Sequence, residues 1–146
     1  MQKMKAVKQF SIFVGLTFGL TVTLAQESVS EADYEAAMKE MSYIVIDAAM
    51  HIDSSYWGDL GEDSDKLYTQ LSKVESFWKA RAQTQAAALA EQALKAVSAI
   101  SRASGTEDRG AATSALSDLR DTCGACHTEF REETPDGFRI KPSALQ

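Results

Sequence analysis

The stretch of sequence that decides the fold is ATSALSDLRDTCGACHTEF, residues 112–130 of a chain of 146 residues. Its apolar residues recur at alternating intervals of four and three, which predicts an amphipathic helix with one buried stripe. The members of this stripe are Ala112, Leu116, Leu119, Cys123, Cys126 and Phe130. We expect Pro135 and Gly137 to end the helix. Both cysteines of the chain therefore lie on the side of a helix that faces a protein core.

The same spacing predicts a helix at the start of the sequence, from about Ser30 to about Ser54. Its stripe consists of Tyr34, Met38, Met41, Val45, Ala48 and Ile52. Ser28 and Glu31 match a capping box at the beginning of this helix. No proline occurs between Ser28 and Pro135, and helix-forming residue types dominate this region, so strands are not expected there.

A second helix is predicted after residues 58–64, which contain two glycines and several acidic residues and are typical of a loop. Asp63 or Ser64 is the expected cap of this helix. Its buried stripe consists of Leu67, Leu71, Val74 and Trp78.

A turn near residues 80–83 is predicted on packing grounds, because the sequence there contains no helix breaker. A single helix from Ser64 to Ser104 would be about 60 Å long, too long for the core of so small a chain. The third helix ends at Ser104 and Gly105, where the glycine suits a C-terminal cap. Its stripe consists of Ala86, Ala90, Ala93, Val97 and Ile100. Four amphipathic helices with short connections predict an all-α, antiparallel four-helix bundle.

The N-terminal 25 residues have the pattern of a secretory signal peptide. Three lysines occur within the first eight residues, residues 10–22 are mainly apolar, and small residues precede position 26. We therefore expect cleavage after about Ala25, a single mature domain at residues 26–146, and export to the periplasm. The alternative is an uncleaved membrane anchor, although the apolar run is shorter than the ~20 residues that a membrane span requires.

The composition is that of one globular domain, with 45% apolar and 8% aromatic residues and only two cysteines. These values exclude a disordered chain and a disulfide-rich scaffold. The net charge is −6, and no basic run follows the first eight residues. Binding to nucleic acid requires a basic surface for the phosphates, so nucleic acid is excluded as the partner.

The chemistry of the chain is indicated by Cys123-Gly-Ala-Cys126-His127, a C-x-x-C-H motif. This pattern is the attachment signature of c-type haem, in which each thiol adds to a vinyl group of the porphyrin and the histidine binds the iron. On a helix, residues three and four apart share one face. Zinc would need four ligands, and the only other histidine is the distant His51. A thioredoxin-like redox pair would follow a strand, which is not expected here.

This motif near the C-terminus of a four-helix domain, followed by Phe130 and Arg131, resembles the class II c-type cytochromes, the cytochrome c-prime family. The resemblance extends from the first predicted helix to Arg131. It implies one haem c, covalently bound through Cys123 and Cys126 on the C-terminal helix, with His127 as an axial ligand of the iron. It also implies that Arg131 lies near a haem propionate or closes the proximal face, whereas a solvated cation at the helix end is the alternative.

The resemblance further implies that the second axial position decides the function. Low-spin family members place a methionine of the first helix on the iron and carry electrons, whereas others leave the position open and bind nitric oxide or carbon monoxide. Ala37-Met38-Lys39 matches the low-spin pattern, so Met38 is the candidate ligand and Met41 its nearest competitor. Tyr34 stands where family members often carry arginine. The expected function is a periplasmic electron carrier, and a five-coordinate gas-binding protein is the alternative.

Enzyme activity is not expected, because a haem peroxidase needs an acid–base group above the iron and the stripe of the first helix has none. His51 lies about 20 Å along the helix from Met38 and is expected at the surface or the helix end. The acidic chain favours redox partners with a basic docking patch. Family members often form homodimers, and membrane contact is expected only if the signal peptide is retained. Residues 136–146 are assigned no role.

Overall fold

The computed structural model describes residues 28–145, so the predicted signal peptide lies outside the described residues. Four helices are followed by a short β-hairpin and one turn of 3₁₀ helix. Their bounds are α1 Glu31–Ser54, α2 Trp57–Ala80, α3 Thr84–Gly105, α4 Arg109–Phe130, β1 Arg131–Thr134, β2 Gly137–Ile140 and the 3₁₀ turn Pro142–Ala144. Within residues 28–145, no helix is both long and apolar enough to cross a membrane.

The four helices form the predicted antiparallel bundle, since each connection is short and consecutive helices pack along their lengths. The largest fully buried side chains belong to Trp78, Phe77, Leu60 and Leu67, all on α2. The packing between α1 and α4 is much sparser than that between consecutive helices. The bundle is therefore closed on three of its seams and more open on the fourth.

Helix α1 confirms the predicted length but has a different cap and a rotated buried face. The capping box is formed by Ser30 and Asp33, not by Ser28 and Glu31. Ala37 and Ile44 are buried, whereas the predicted stripe members Met38 and Val45 are only partly buried. Positions 37 and 38 are both apolar, as are 44 and 45, so periodicity alone could not choose between them.

Helix α2 corrects the predicted loop at residues 58–64, because these residues form its first turns. The glycine at position 61 lies against α3, where an added Cβ would be 3.5 Å from Ser104 Oγ. Asp63 and Ser64 are buried inside the helix and do not cap it, and the Ser64 hydroxyl donates to the Leu60 carbonyl at 2.9 Å. Gly61, Asp63 and Ser64, which are residue types typical of a loop, therefore pack inside the bundle as part of a helix. The connection between α1 and α2 consists only of Ser55 and Tyr56.

The predicted turn between the second and third helices is confirmed at residues 81–83, where Ala82 has a left-handed φ of 55°. The end of α3 differs from the expectation: Gly105 is the last helical residue, and the left-handed conformation falls on Glu107 with a φ of 54°. Asp108 caps α4, since its side chain accepts from the backbone N–H of Ala111 at 2.9 Å.

Helix α4 ends at Phe130, five residues before the expected stop at Pro135. The chain then forms an antiparallel hairpin, which corrects the expectation that no strand occurs before Pro135. Arg131 pairs with Ile140 and Thr134 with Gly137, whose φ of 130° suits the tight turn. Helical periodicity could not predict this hairpin, because strand pairing depends on cross-strand contacts and not on a repeat along one helix.

Candidate functional site

The two cysteines and the histidine of the C-x-x-C-H motif lie in the last two turns of α4. Cys123, Cys126 and His127 are each partly buried, and both thiols are free. The two cysteines pack against the hydrophobic core of the bundle, as their positions in the predicted stripe require. The motif therefore presents two thiols and an imidazole along one side of the helix, partly covered by protein and partly open.

The electrostatics of the motif argue against thiol–disulfide redox chemistry and favour the neutral form of the histidine. Burial raises the pKa of Cys123. Burial, followed by the neighbouring Cys123 thiol, raises the pKa of Cys126 to about 11. A thiol–disulfide enzyme instead lowers the pKa of its attacking cysteine. Burial, with a smaller contribution from the charge of Arg131, lowers the pKa of His127. The imidazole is thereby kept neutral, which is the form that binds a metal.

An aromatic cluster lies at the same end of the bundle. The ring of Tyr34 is 4.4 Å from that of Phe77 and 5.5 Å from that of Trp78, and Phe130 on α4 is 5.4 Å from Trp78. Burial, followed by the nearby Cys126 thiol, raises the pKa of Tyr34. The cluster thus lines the interior beside the cysteines. The sequence predicted Trp78 only as a member of the buried stripe of the second helix, because aromatic residues at helical spacing are usually core.

One buried polar atom in this cluster lacks a well-formed hydrogen bond. Trp78 Nε1 is buried and makes no hydrogen bond of good geometry among residues 28–145, and the nearest polar side chain, the Tyr34 phenol, interacts with it only weakly. A buried donor without a partner costs about 1–3 kcal/mol, and native proteins rarely leave one. A bound group with acceptor oxygens beside the thiols would supply the missing partner. Haem c, with its two propionate carboxylates, fits this requirement and the chemistry of the donor set.

Met38 lies on α1 one turn after Tyr34, at the end of the bundle that carries the motif. It is partly buried and packs at the edge of the core, on the helix whose contacts with α4 are sparse. Its competitor Met41 is buried, with 8% of its surface exposed. The structure thus brings Met38 to the correct end and leaves it more accessible than Met41.

Arg131 is the first residue after α4, and its backbone N–H donates to the carbonyl of His127. Its guanidinium lies 4.1 Å from the centre of the exposed Phe138 ring, a cation–π contact within the hairpin. The sequence analysis assigned Phe138 no role, and no signal in the helical pattern could have found this contact.

His51 lies at the opposite end of the bundle, in the last turn of α1. Its Nδ1 is 2.7 Å from Oδ2 of the buried Asp63 on α2. The predicted position at a helix end is confirmed, and the partner of His51 is a carboxylate that the sequence analysis had placed in a loop.

Comparison with known proteins adds an independent finding. The family model described as Cytochrome C' matches residues 18–131, which include all four helices and the C-x-x-C-H motif. No curated protein and no solved structure matches the chain. The family implies covalent haem c, and Cys123 and Cys126 are the only two cysteines available for its attachment. The chain therefore belongs to the Cytochrome C' family and is a monohaem c-type cytochrome built as a four-helix bundle.

Proposed function

We propose that this cytochrome is an exported carrier of single electrons, with His127 and Met38 as the axial ligands of the haem iron. The observation that supports this proposal is the position of Met38. It is a partly buried thioether that packs against the core on α1, at the end of the bundle where α4 carries the attachment motif, and α1 and α4 pack together more sparsely than consecutive helices do.

The residues around the site suit electron transfer. Haem iron supplies a reversible one-electron couple, and a thioether ligand raises its potential relative to two histidines. His127 is held neutral by burial and by Arg131, so its ring nitrogen is free to bind a cation. Tyr34, Trp78 and Phe130 are buried aromatic side chains that pack together beside the motif, and a weakly hydrated site favours the ferrous state with its lower net charge.

A five-coordinate site that binds nitric oxide or carbon monoxide is the second candidate function. The rotated face of α1 favours it, because Ala37 is 1% exposed and takes the interior position, while Met38 lies beside it. If Met38 kept this position at the edge of the core in the holoprotein, it would not ligate the iron and the site would stay open to a diatomic gas. The two candidates therefore differ in whether Met38 ligates the iron.

Visible spectra of the purified holoprotein decide between the candidates. The carrier should show sharp reduced α and β bands and no response to carbon monoxide. Met38→Ala should open the site, so that the reduced spectrum broadens and shifts with carbon monoxide. Met41→Ala, which truncates the buried competitor, is the matched control and should keep the low-spin spectrum. A wild-type protein that already binds carbon monoxide would overturn the carrier proposal.

Family members are generally haem proteins without enzymatic activity, and we propose the same here. The buried group beside the motif that could exchange a proton is Tyr34, and burial raises the pKa of its phenol. A phenol that stays protonated is a poor general base at neutral pH. A peroxidase assay with hydrogen peroxide and a small reductant should give no turnover above that of free haem.

Three further parts of the proposal concern location and partners. We propose export to the periplasm with cleavage after about Ala25, which N-terminal sequencing of the haem-stained protein checks. We propose redox partners with a basic docking patch, because the chain carries a net charge of −6. A homodimer would use the outer face of α1, where Tyr43, Ile46 and Met50 are exposed. Light scattering on the holoprotein tests the dimer.

A further inference from the structure

The β-hairpin lies almost entirely beyond the family match. The match ends at Arg131, whereas the hairpin continues to Ile140. Neither the C-x-x-C-H motif nor the family gives this segment a task. The hairpin directly follows the helical turn that carries His127, and the chain at its end contacts that turn.

The hairpin completes the C-terminal end of α4. The last four carbonyls of a helix have no donor within the helix and need partners from elsewhere. The backbone N–H of Arg131 donates to the carbonyl of His127. Lys141 provides two more bonds, from its Nζ to the Thr128 carbonyl at 3.0 Å and from its backbone N–H to the Phe130 carbonyl at 2.9 Å. Its ammonium group also places positive charge at the negative end of the helix dipole.

Strand pairing, an ion pair and a buried residue fix the position of the hairpin, so the chain around Lys141 is anchored on both sides. The pairing of Arg131 with Ile140 returns the chain to the end of α4. Arg139 Nε is 2.7 Å from Glu132 Oε1 across the two strands. Beyond the hairpin, Ala144 is buried against the core of the bundle. These contacts fix where Lys141 emerges relative to the last turn of α4.

A helix end without partners for its carbonyls frays by about a turn, and here the turn that would fray contains His127. We propose that the C-terminal hairpin positions His127 for axial ligation, with Lys141 as the positioning residue that anchors the hairpin to the Thr128 and Phe130 carbonyls. This inference rests on the proposed ligation of the iron by His127.

The test uses the full-length holoprotein with Lys141→Met, which removes the ammonium group and keeps the side-chain length. We expect amide hydrogen exchange in the last turn of α4 to become about tenfold faster. We also expect the haem methyl resonances of the ferric protein to shift, since they report the orientation of the axial imidazole. Lys141→Arg should restore both readouts toward wild type. Lys95→Met on α3, which breaks an exposed pair with Glu91, is the matched control and should change neither.

Unchanged exchange and unchanged methyl resonances in Lys141→Met would overturn the inference, as would equal changes in Lys95→Met. If Lys141→Met does not accumulate, Lys141→Gln, which removes the charge and shortens the side chain, tests the same bond to the Thr128 carbonyl. It should shift the methyl resonances in the same direction as expected for Lys141→Met, and no shift would overturn the inference. These readouts require only His127 on the iron. They therefore remain interpretable if carbon monoxide binding disproves ligation by Met38.

Discussion

The two ends of the bundle differ in how their buried polar groups are matched. At the end where α1 finishes and α2 begins, the groups find partners within the protein. His51 Nδ1 is 2.7 Å from Oδ2 of the buried Asp63. The buried Ser104 hydroxyl on α3 donates to the carbonyl of Trp57, and the buried Ser64 hydroxyl on α2 donates to the carbonyl of Leu60. At this end, these buried polar groups are all satisfied by partners within the protein.

At the end where α4 finishes, the matching is incomplete. Trp78 Nε1 is buried without a well-formed hydrogen bond among residues 28–145, and two partly buried thiols stand free on the core side of α4. The adjoining seam with α1 is sparsely packed. The groups left without well-formed partners are thus concentrated at the end that carries the haem-attachment motif. Mutations at the two ends should therefore have different signatures.

The largest effect is expected from the double substitution Cys123→Ala and Cys126→Ala. No thioether bond to haem can form, so covalent haem should be lost completely. Haem staining of a denaturing gel and a pyridine haemochrome assay measure this loss. Met50→Ala, which truncates a side chain that is 52% exposed on α1, is the control and should keep normal haem content. Covalent haem in the double variant would contradict the assignment of this end.

A smaller effect of another kind is expected from Asp63→Ala at the opposite end. The substitution leaves His51 without its carboxylate, which should lower the free energy of unfolding by about 1–3 kcal/mol. The visible spectrum should not change, because this end does not face the haem. Thermal unfolding of the holoprotein followed by circular dichroism measures the loss.

The matched control for Asp63→Ala is Asp65→Ala, because Asp65 is exposed on the same helix. It should alter the free energy of unfolding by no more than about 0.5 kcal/mol. A spectral change in Asp63→Ala would show that the two ends are coupled and would break the comparison.

The smallest effect is expected from Trp78→Phe, and it should depend on haem. In the haem-free double-cysteine variant, the substitution removes a buried N–H that has no well-formed protein partner. This gain offsets the lost packing, so the free energy of unfolding should change by less than about 1 kcal/mol. In the holoprotein the loss should be larger, because the indole N–H then has an acceptor. Denaturant unfolding measures both values. Equal changes in the free energy of unfolding in the two backgrounds would show that Trp78 does not contact the haem.

Much of the bundle and of the attachment site was predictable from local pattern. Helical periodicity placed α4 and the buried residues of α2 and α3, because a stripe repeating every 3.6 residues reflects burial directly. The C-x-x-C-H motif located the haem, since its chemistry needs only residues adjacent along one helix. The aromatic cluster around Trp78 was not predictable, because its members meet only when three helices pack together.

The amino-acid sequence by itself determined four amphipathic helices, the position of Cys123, Cys126 and His127 on the core side of the last helix, and the acidic charge of the chain. Only the tertiary structure decided that Ala37 is fully buried and Met38 only partly, that residues 58–64 are helical, and that a hairpin caps α4. The physical reason is the same in each case. These features depend on contacts between residues far apart in the chain, and local periodicity does not record such contacts.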